Sequence, residues 1–107
     1  MTNRVTGIFT ATGAGEVLTL LPNYPGSGAN PPGAAAALWG SFVATVELER
    51  SRDGGTTWNV VSKTPDGDGA IYQDPVDINI YDTVIGTKYR WNCTAYVSGT
   101  VNYDVAQ

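Results

Sequence analysis

Residues Phe42 to Glu49 read FVATVELE, and their side chains sort by parity: Phe42, Ala44, Val46 and Leu48 fall on one side, Val43, Thr45, Glu47 and Glu49 on the other. A period of two held over eight residues is the repeat of a β-strand with one face on a core and its charged face in water. A turn follows at Ser51–Thr57, and Trp58-Asn59-Val60-Val61-Ser62-Lys63 reads as the returning partner. The rest of the chain repeats this rhythm of short apolar runs broken by Gly, Pro, Asn and Asp. Thirteen Gly, six Pro, six Tyr and three Trp in 107 residues fit strands and turns better than helices.

Read from the start, Ile8–Thr12 and Glu16–Leu21 flank Gly13-Ala14-Gly15 and predict an N-terminal hairpin. The segment 22–37, PNYPGSGANPPGAAAA, is too rich in Pro and Gly for a packed element and too apolar for a solvated linker. It is expected to form an extended loop or arm over about 22–38 that lies against something else. Ala70-Ile71-Tyr72 predicts an edge strand, and Val76–Ile80 alternates again. Asp82–Thr87 is a turn, Tyr89, Trp91, Cys93 and Ala95 share one parity, and Ser98-Gly99 turns the chain into Val101, Tyr103 and Val105. About eight short strands without helical crossovers predict an all-β chain: one antiparallel β-sandwich, Ig/fibronectin-III-like or jelly-roll-like, spanning residues 1–107. Its expected core is Phe42, Val46, Leu48, Trp58, Val60, Tyr89, Trp91, Cys93 and Val101.

Charge and composition narrow the function. A hydrophobic fraction of 42% with 15% charged residues describes a globular chain. With a net charge of −4 and six scattered basic residues, no track for phosphate is offered, so nucleic acid is not an expected partner. No apolar run approaches the ~20 residues that cross a bilayer, so no membrane is expected. The opening Met-Thr-Asn-Arg-Val lacks the apolar centre of a signal peptide, and the single Cys93 has no internal disulfide partner; both fit a chain folding in a reducing, cytoplasmic compartment.

The sites that carry chemistry elsewhere read here as structure. Asp66-Gly67-Asp68-Gly69 looks like part of a calcium loop, but its two carboxylates, even with Asp74 and Asp77 nearby, fall short of about six to eight oxygen ligands. A plain turn without metal or cofactor is expected. Asn92-Cys93-Thr94 fits a glycosylation acceptor but lies mid-strand in a chain with no export signal. Cys93 lacks a histidine to activate it, since the chain has none. Glu47 and Glu49, roughly 7 Å apart at Cβ, are the remaining pair for glycoside hydrolysis. On an outer face they read as a solvated pair or as ion-pair partners of Arg50, Arg52 or Lys63, and no enzyme is expected. Trp39, Tyr24 and Tyr72 suit an aromatic platform for sugar rings, or equally a protein contact.

Three resemblances add to this. Ser51-Arg52-Asp53-Gly54-Gly55-Thr56-Thr57-Trp58 resembles the Asp-box of bacterial neuraminidases, with Ser51, Asp53, Gly55 and Trp58 on its defining positions. In sialidases the box recurs away from the catalytic centre. The resemblance therefore implies a hairpin lock, with Trp58 anchoring the return strand. Gly86-Thr87-Lys88-Tyr89-Arg90-Trp91 resembles the late strand of fibronectin III and immunoglobulin-like domains, which implies a corner tyrosine at Tyr89. Finally, LWGSFVATVELERSRDGGTTW (38–58) and YRWNCTAYVSGTVNY (89–103) are similar to short structural proteins of tailed bacteriophages and prophages. That similarity implies a virion component, a decoration or cement protein bound to the capsid exterior, with the major capsid protein and further copies of itself, as a trimer, for partners. Tyr24, Pro25, Asn30, Pro31, Pro32 and Trp39 are the expected contact residues. A tail or fibre protein recognising a receptor glycan, and a freestanding carbohydrate-binding module, are the alternatives.

Overall fold

The computed structural model describes residues 3–21, 33–62, 69–82 and 84–107, and within them the chain forms β-strands and no helix. In chain order these are β1 (Arg4–Phe9), β2 (Gly13–Ala14), β3 (Leu18–Thr19), β4 (Gly33–Trp39), β5 (Phe42–Ser51), β6 (Asn59–Val60), β7 (Ile71–Tyr72), β8 (Val76–Tyr81), β9 (Lys88–Gly99) and β10 (Val101–Ala106). A four-stranded sheet runs β1-β10-β4-β8; a six-stranded sheet runs β2-β9-β5-β6, with β3 also on β9 and β7 also on β5. Every named pairing is antiparallel, and the two sheets pack into the sandwich that the periodicity predicts.

The sheets share one ribbon. β10 and β4 pair Ala106 with Ala35 and Asn102 with Trp39. The β5–β9 ladder resumes the same register with Phe42 opposite Gly99, and the Thr100 N–H donates to Ser41 O across the junction at 3.1 Å. β4 with β5, and β9 with β10, are therefore two long strands bent together over a corner. The bend sits at Gly40 (φ 115°) and Gly99 (φ 88°), backbone angles that a Cβ penalises. The expected reversal at Ser98-Gly99 does not occur: one residue between β9 and β10 is too short for a hairpin loop, and the chain steps from one sheet to the other.

Parity then fills the core. Leu38, Ala36 and Ala34 of β4, Val46 and Leu48 of β5, Tyr89, Trp91 and Cys93 of β9, and Val101, Tyr103 and Val105 of β10 are buried in one cluster with Phe9, Leu18, Leu20, Val61 and Ala70. Residues 33–38, expected in an arm, are a central strand instead. Alanine is a poor strand former in isolation, yet here a small inward side chain shares the cluster with Trp91 and two tyrosines, so packing overrides propensity. The N-terminal hairpin is also overturned. β1 pairs with β10, while β2 and β3 lie on β9 of the other sheet. The chain passes from one sheet to the other over residues 10–12, and just past β2 Gly15 N–H donates to Trp91 O at 2.8 Å and Glu16 N–H to the Tyr103 hydroxyl at 2.9 Å.

Three finer expectations change as well. Register shifts at Val43/Ala44 and Thr45/Val46 leave Val97 and Thr94 as extra residues on β9. Past Thr94 the parity reverses, so Ala95 is exposed and Tyr96 packs on the core. Val60 sits opposite Glu49 and faces outward, half-buried, while Val61 takes the inward place; Phe42 is only partly buried. β6 and β7 lie end to end beside β5, and the excursion between them closes through a Ser62–Gly69 bridge.

Candidate functional site

The Ser51–Trp58 turn assembles as its sequence predicts. Ser51 Oγ donates to Asp53 Oδ1 at 2.8 Å and accepts from Gly55 N–H at 2.9 Å. Asp53 Oδ1 also accepts from Thr56 N–H at 3.2 Å and Thr57 N–H at 2.8 Å. The Thr57 amide, then the Ser51 hydroxyl, pushes the Asp53 carboxyl down to about 2. Trp58 Nε1–H donates to Gly55 O at 3.0 Å, but the indole is half-buried rather than in the core. It lies on the outer face of the six-stranded sheet beneath Arg90, whose guanidinium carbon is 4.1 Å from the ring centroid. Because the folded Asp53 titrates below its ordinary 3.8, its contribution is present above that pH and lost as pH falls through about 2. Asp53→Ala is expected to lower the melting temperature at pH 7, with the gap to wild type closing as pH drops from about 4 to about 2. Melting curves across that range check it.

Behind the turn, Asp82 is 5% exposed and ties the corner before β9. It accepts from the Tyr89 hydroxyl, from Val84 N–H at 2.9 Å and from Arg52 Nη1 at 3.2 Å, while Arg52 also reaches Thr87 Oγ1 at 2.8 Å. Burial alone would raise the Asp82 carboxyl, but these donors hold it below its ordinary range. Burial, then the bond to Asp82, pushes the Tyr89 phenol up to about 12. Tyr89 thus ties the corner before β9 to a side-chain carboxylate.

On the outer face of the six-stranded sheet, Glu49 is 6% exposed, against the expectation of a solvated strand face. Arg90 Nε donates to its Oε1 at 2.8 Å and Asn92 Nδ2 to its Oε2 at 3.1 Å. Glu47 lies two residues away on the same face of β5, and Glu49 beside it, then burial, pushes its carboxyl up to about 7. Cys93 is buried, and burial pushes its thiol up. Among the described residues no three His, Cys, Asp or Glu side chains group as metal ligands. Asp66 and Asp68 lie outside those residues.

Among the described residues, four of the nine exposed large apolar side chains lie where the ribbon bends, and Val17, Leu21, Ile71, Val84 and Ile85 lie elsewhere. Trp39 is 43% exposed; Ile8, 58% exposed, shares its row on the four-stranded sheet, since both lie opposite Asn102. Just past the corner, Val43 and Val97 are 56% and 74% exposed on the other sheet and line a shallow hollow of about 480 Å³ with Phe42, Ala95 and Gln73. Of the six expected contact residues, Trp39 is at this end; Tyr24, Pro25, Asn30, Pro31 and Pro32 lie outside the described residues. Tyr72 does not join Trp39 in a sugar platform, because its ring sits edge-on to Trp91 at 6.0 Å. Val43 was legible as an apolar residue on a polar parity. Val97 was not, since a bulge rather than a composition signal turns it outward. No family model, curated protein or solved structure matches the chain.

Proposed function

We propose that the chain is a non-enzymatic structural protein of a tailed-phage virion, a decoration protein that docks on the capsid exterior through the bent end of its ribbon. The observation that carries this reading is the exposed Trp39, with Ile8, Val43 and Val97 around the same corner. Large apolar groups gathered at one end of a sandwich mark a protein contact, and tryptophan is prominent among residues that dominate binding energy. The stretches similar to phage structural proteins also meet there, with Trp39 opposite Asn102 and Phe42 opposite Gly99. Repetition around a shell multiplies weak contacts, which suits a small patch on a rigid module.

The test is co-sedimentation of the purified chain with shells of the major capsid protein from the same phage genome. Binding is expected, and Trp39→Ala should weaken it about tenfold or more, in line with a tryptophan hot spot, while leaving the melting temperature within a few degrees. Absence of binding to intact and expanded shells, with retention on host-cell glycans, would overturn it in favour of a tail or fibre role. The arm is tested separately by replacing 23–31 with a Gly/Ser linker of equal length; a deletion reaching Ala37 would remove β4.

A further inference from the structure

We propose that the hollow between β6 and β8 binds a small monocarboxylate on an apolar stem, the carboxylate paired with Arg50 and the stem laid against Val61, Ala70, Ile78 and Ile80. The site follows from the ribbon. Because β4 leads into β5 over the corner, β8 and β6 end their two sheets on the same side of the sandwich. There the sheets stand apart around a hollow of about 360 Å³ lined by Arg50 and those four side chains; Ser62 and Asn79 complete its wall and bring no charge. Small-molecule pockets run from about 300 to 1,000 Å³. The hollow lies at the Ser51 end of β5, away from the Trp39 corner, and does not rest on the capsid reading.

Arg50 gives the hollow its chemistry. It follows Val46 and Leu48 on the face of β5 turned toward the other sheet, away from Glu47 and Glu49. A cation on a core-facing position needs an anion or water for its charge. Among the described residues the ion pairs use Arg4, Arg52 and Arg90 and leave Arg50 out. Its cross-strand neighbours are Asn59 on β6 and Tyr89 on β9. Tyr89 gives its proton to Asp82, which is paired with Arg52, so the phenol oxygen can accept from Arg50 but cannot neutralise it. The half-buried guanidinium therefore lines the hollow with its charge uncompensated.

The lining also selects the ligand. The planar fork of a guanidinium matches the two oxygens of a carboxylate. Val61 and Ala70 are buried and Ile78 and Ile80 pack against the core, so the walls suit an aliphatic stem. A single cation in a chain of net charge −4 favours one negative charge over the two of a phosphate dianion.

Titration of the full chain with hexanoate, hexanamide and inorganic phosphate at neutral pH and matched ionic strength, followed by NMR of the backbone amides and the arginine Nε–H groups, tests this. Hexanoate is expected to give saturable shifts centred on Arg50, Val61, Ala70, Ile78 and Ile80, and to bind about tenfold more tightly than hexanamide, the scale of one hydrogen-bonded charge. Arg50→Gln should bring hexanoate down to the affinity of the amide while the resonances of the four-stranded sheet away from β8 stay in place. No saturable hexanoate binding, equal affinities for hexanoate and hexanamide, phosphate binding as tightly as hexanoate, or unchanged hexanoate binding by Arg50→Gln overturns the site. The wild-type comparisons decide even if Arg50→Gln fails to fold.

Discussion

Gly99→Ala is expected to destabilise the protein by about 3 kcal/mol. A left-handed backbone angle at a residue with a Cβ costs about 1 to 2 kcal/mol, and Gly99 has φ 88°. The added methyl would also press onto Ser41 O and lie 2.7 Å from Phe42 Cα. Both are backbone atoms of the opposing strand, so relief requires parting the ribbon at its bend, in the range of about 1 to 3 kcal/mol for overpacking. Gly54 separates the two costs. Its φ is 78°, yet nothing lies within 4 Å of a Cβ built there, so Gly54→Ala should show the conformational part alone. Denaturant unfolding of both variants is the measurement. Equal losses would mean that the corner tolerates a side chain and is not the junction between the sheets.

That corner also marks where reading the sequence stops. Alternation is a local signal: it placed Val46, Leu48, Tyr89, Trp91, Cys93 and Val101 in the core, and all six are buried. The Ser51–Trp58 turn was legible for the same reason, because its donors and acceptors lie within seven residues of one another. Pairing across the chain was not. β1 finds β10 nearly a hundred residues away, and nothing in Ile8–Thr12 distinguishes that partner from the nearer Glu16–Leu21. The alanines of β4 misled because their strand is specified by what faces them. At the surface, Glu49 looked like an ordinary solvent-facing residue, and only the register that sets Arg90 opposite it reveals a buried ion pair.

The second large effect is expected at the corner before β9. Asp82→Ala should cost about 3 kcal/mol, because it strands the Tyr89 hydroxyl, the Val84 N–H and one arm of Arg52 at once. A buried donor left without an acceptor costs about 1 to 3 kcal/mol, and Tyr89 carries that cost, since Arg52, its side chain 45% exposed, can turn to water. Tyr89→Phe removes one bond and leaves the carboxylate two other donors, so a smaller loss of about 1 to 2 kcal/mol is expected. If the corner is one unit, the double variant Asp82→Ala/Tyr89→Phe will lose less than the two singles added together, since the phenylalanine no longer needs the acceptor that alanine removed. The acid side gives an independent check. Asp82 titrates below its ordinary 3.8 when folded, so its contribution is present above that pH and declines as pH falls through the lowered value. The penalty of Asp82→Ala should therefore shrink in strong acid. Additive losses, or a penalty that does not change with pH, would show that Tyr89 is held by its packing rather than by the carboxylate.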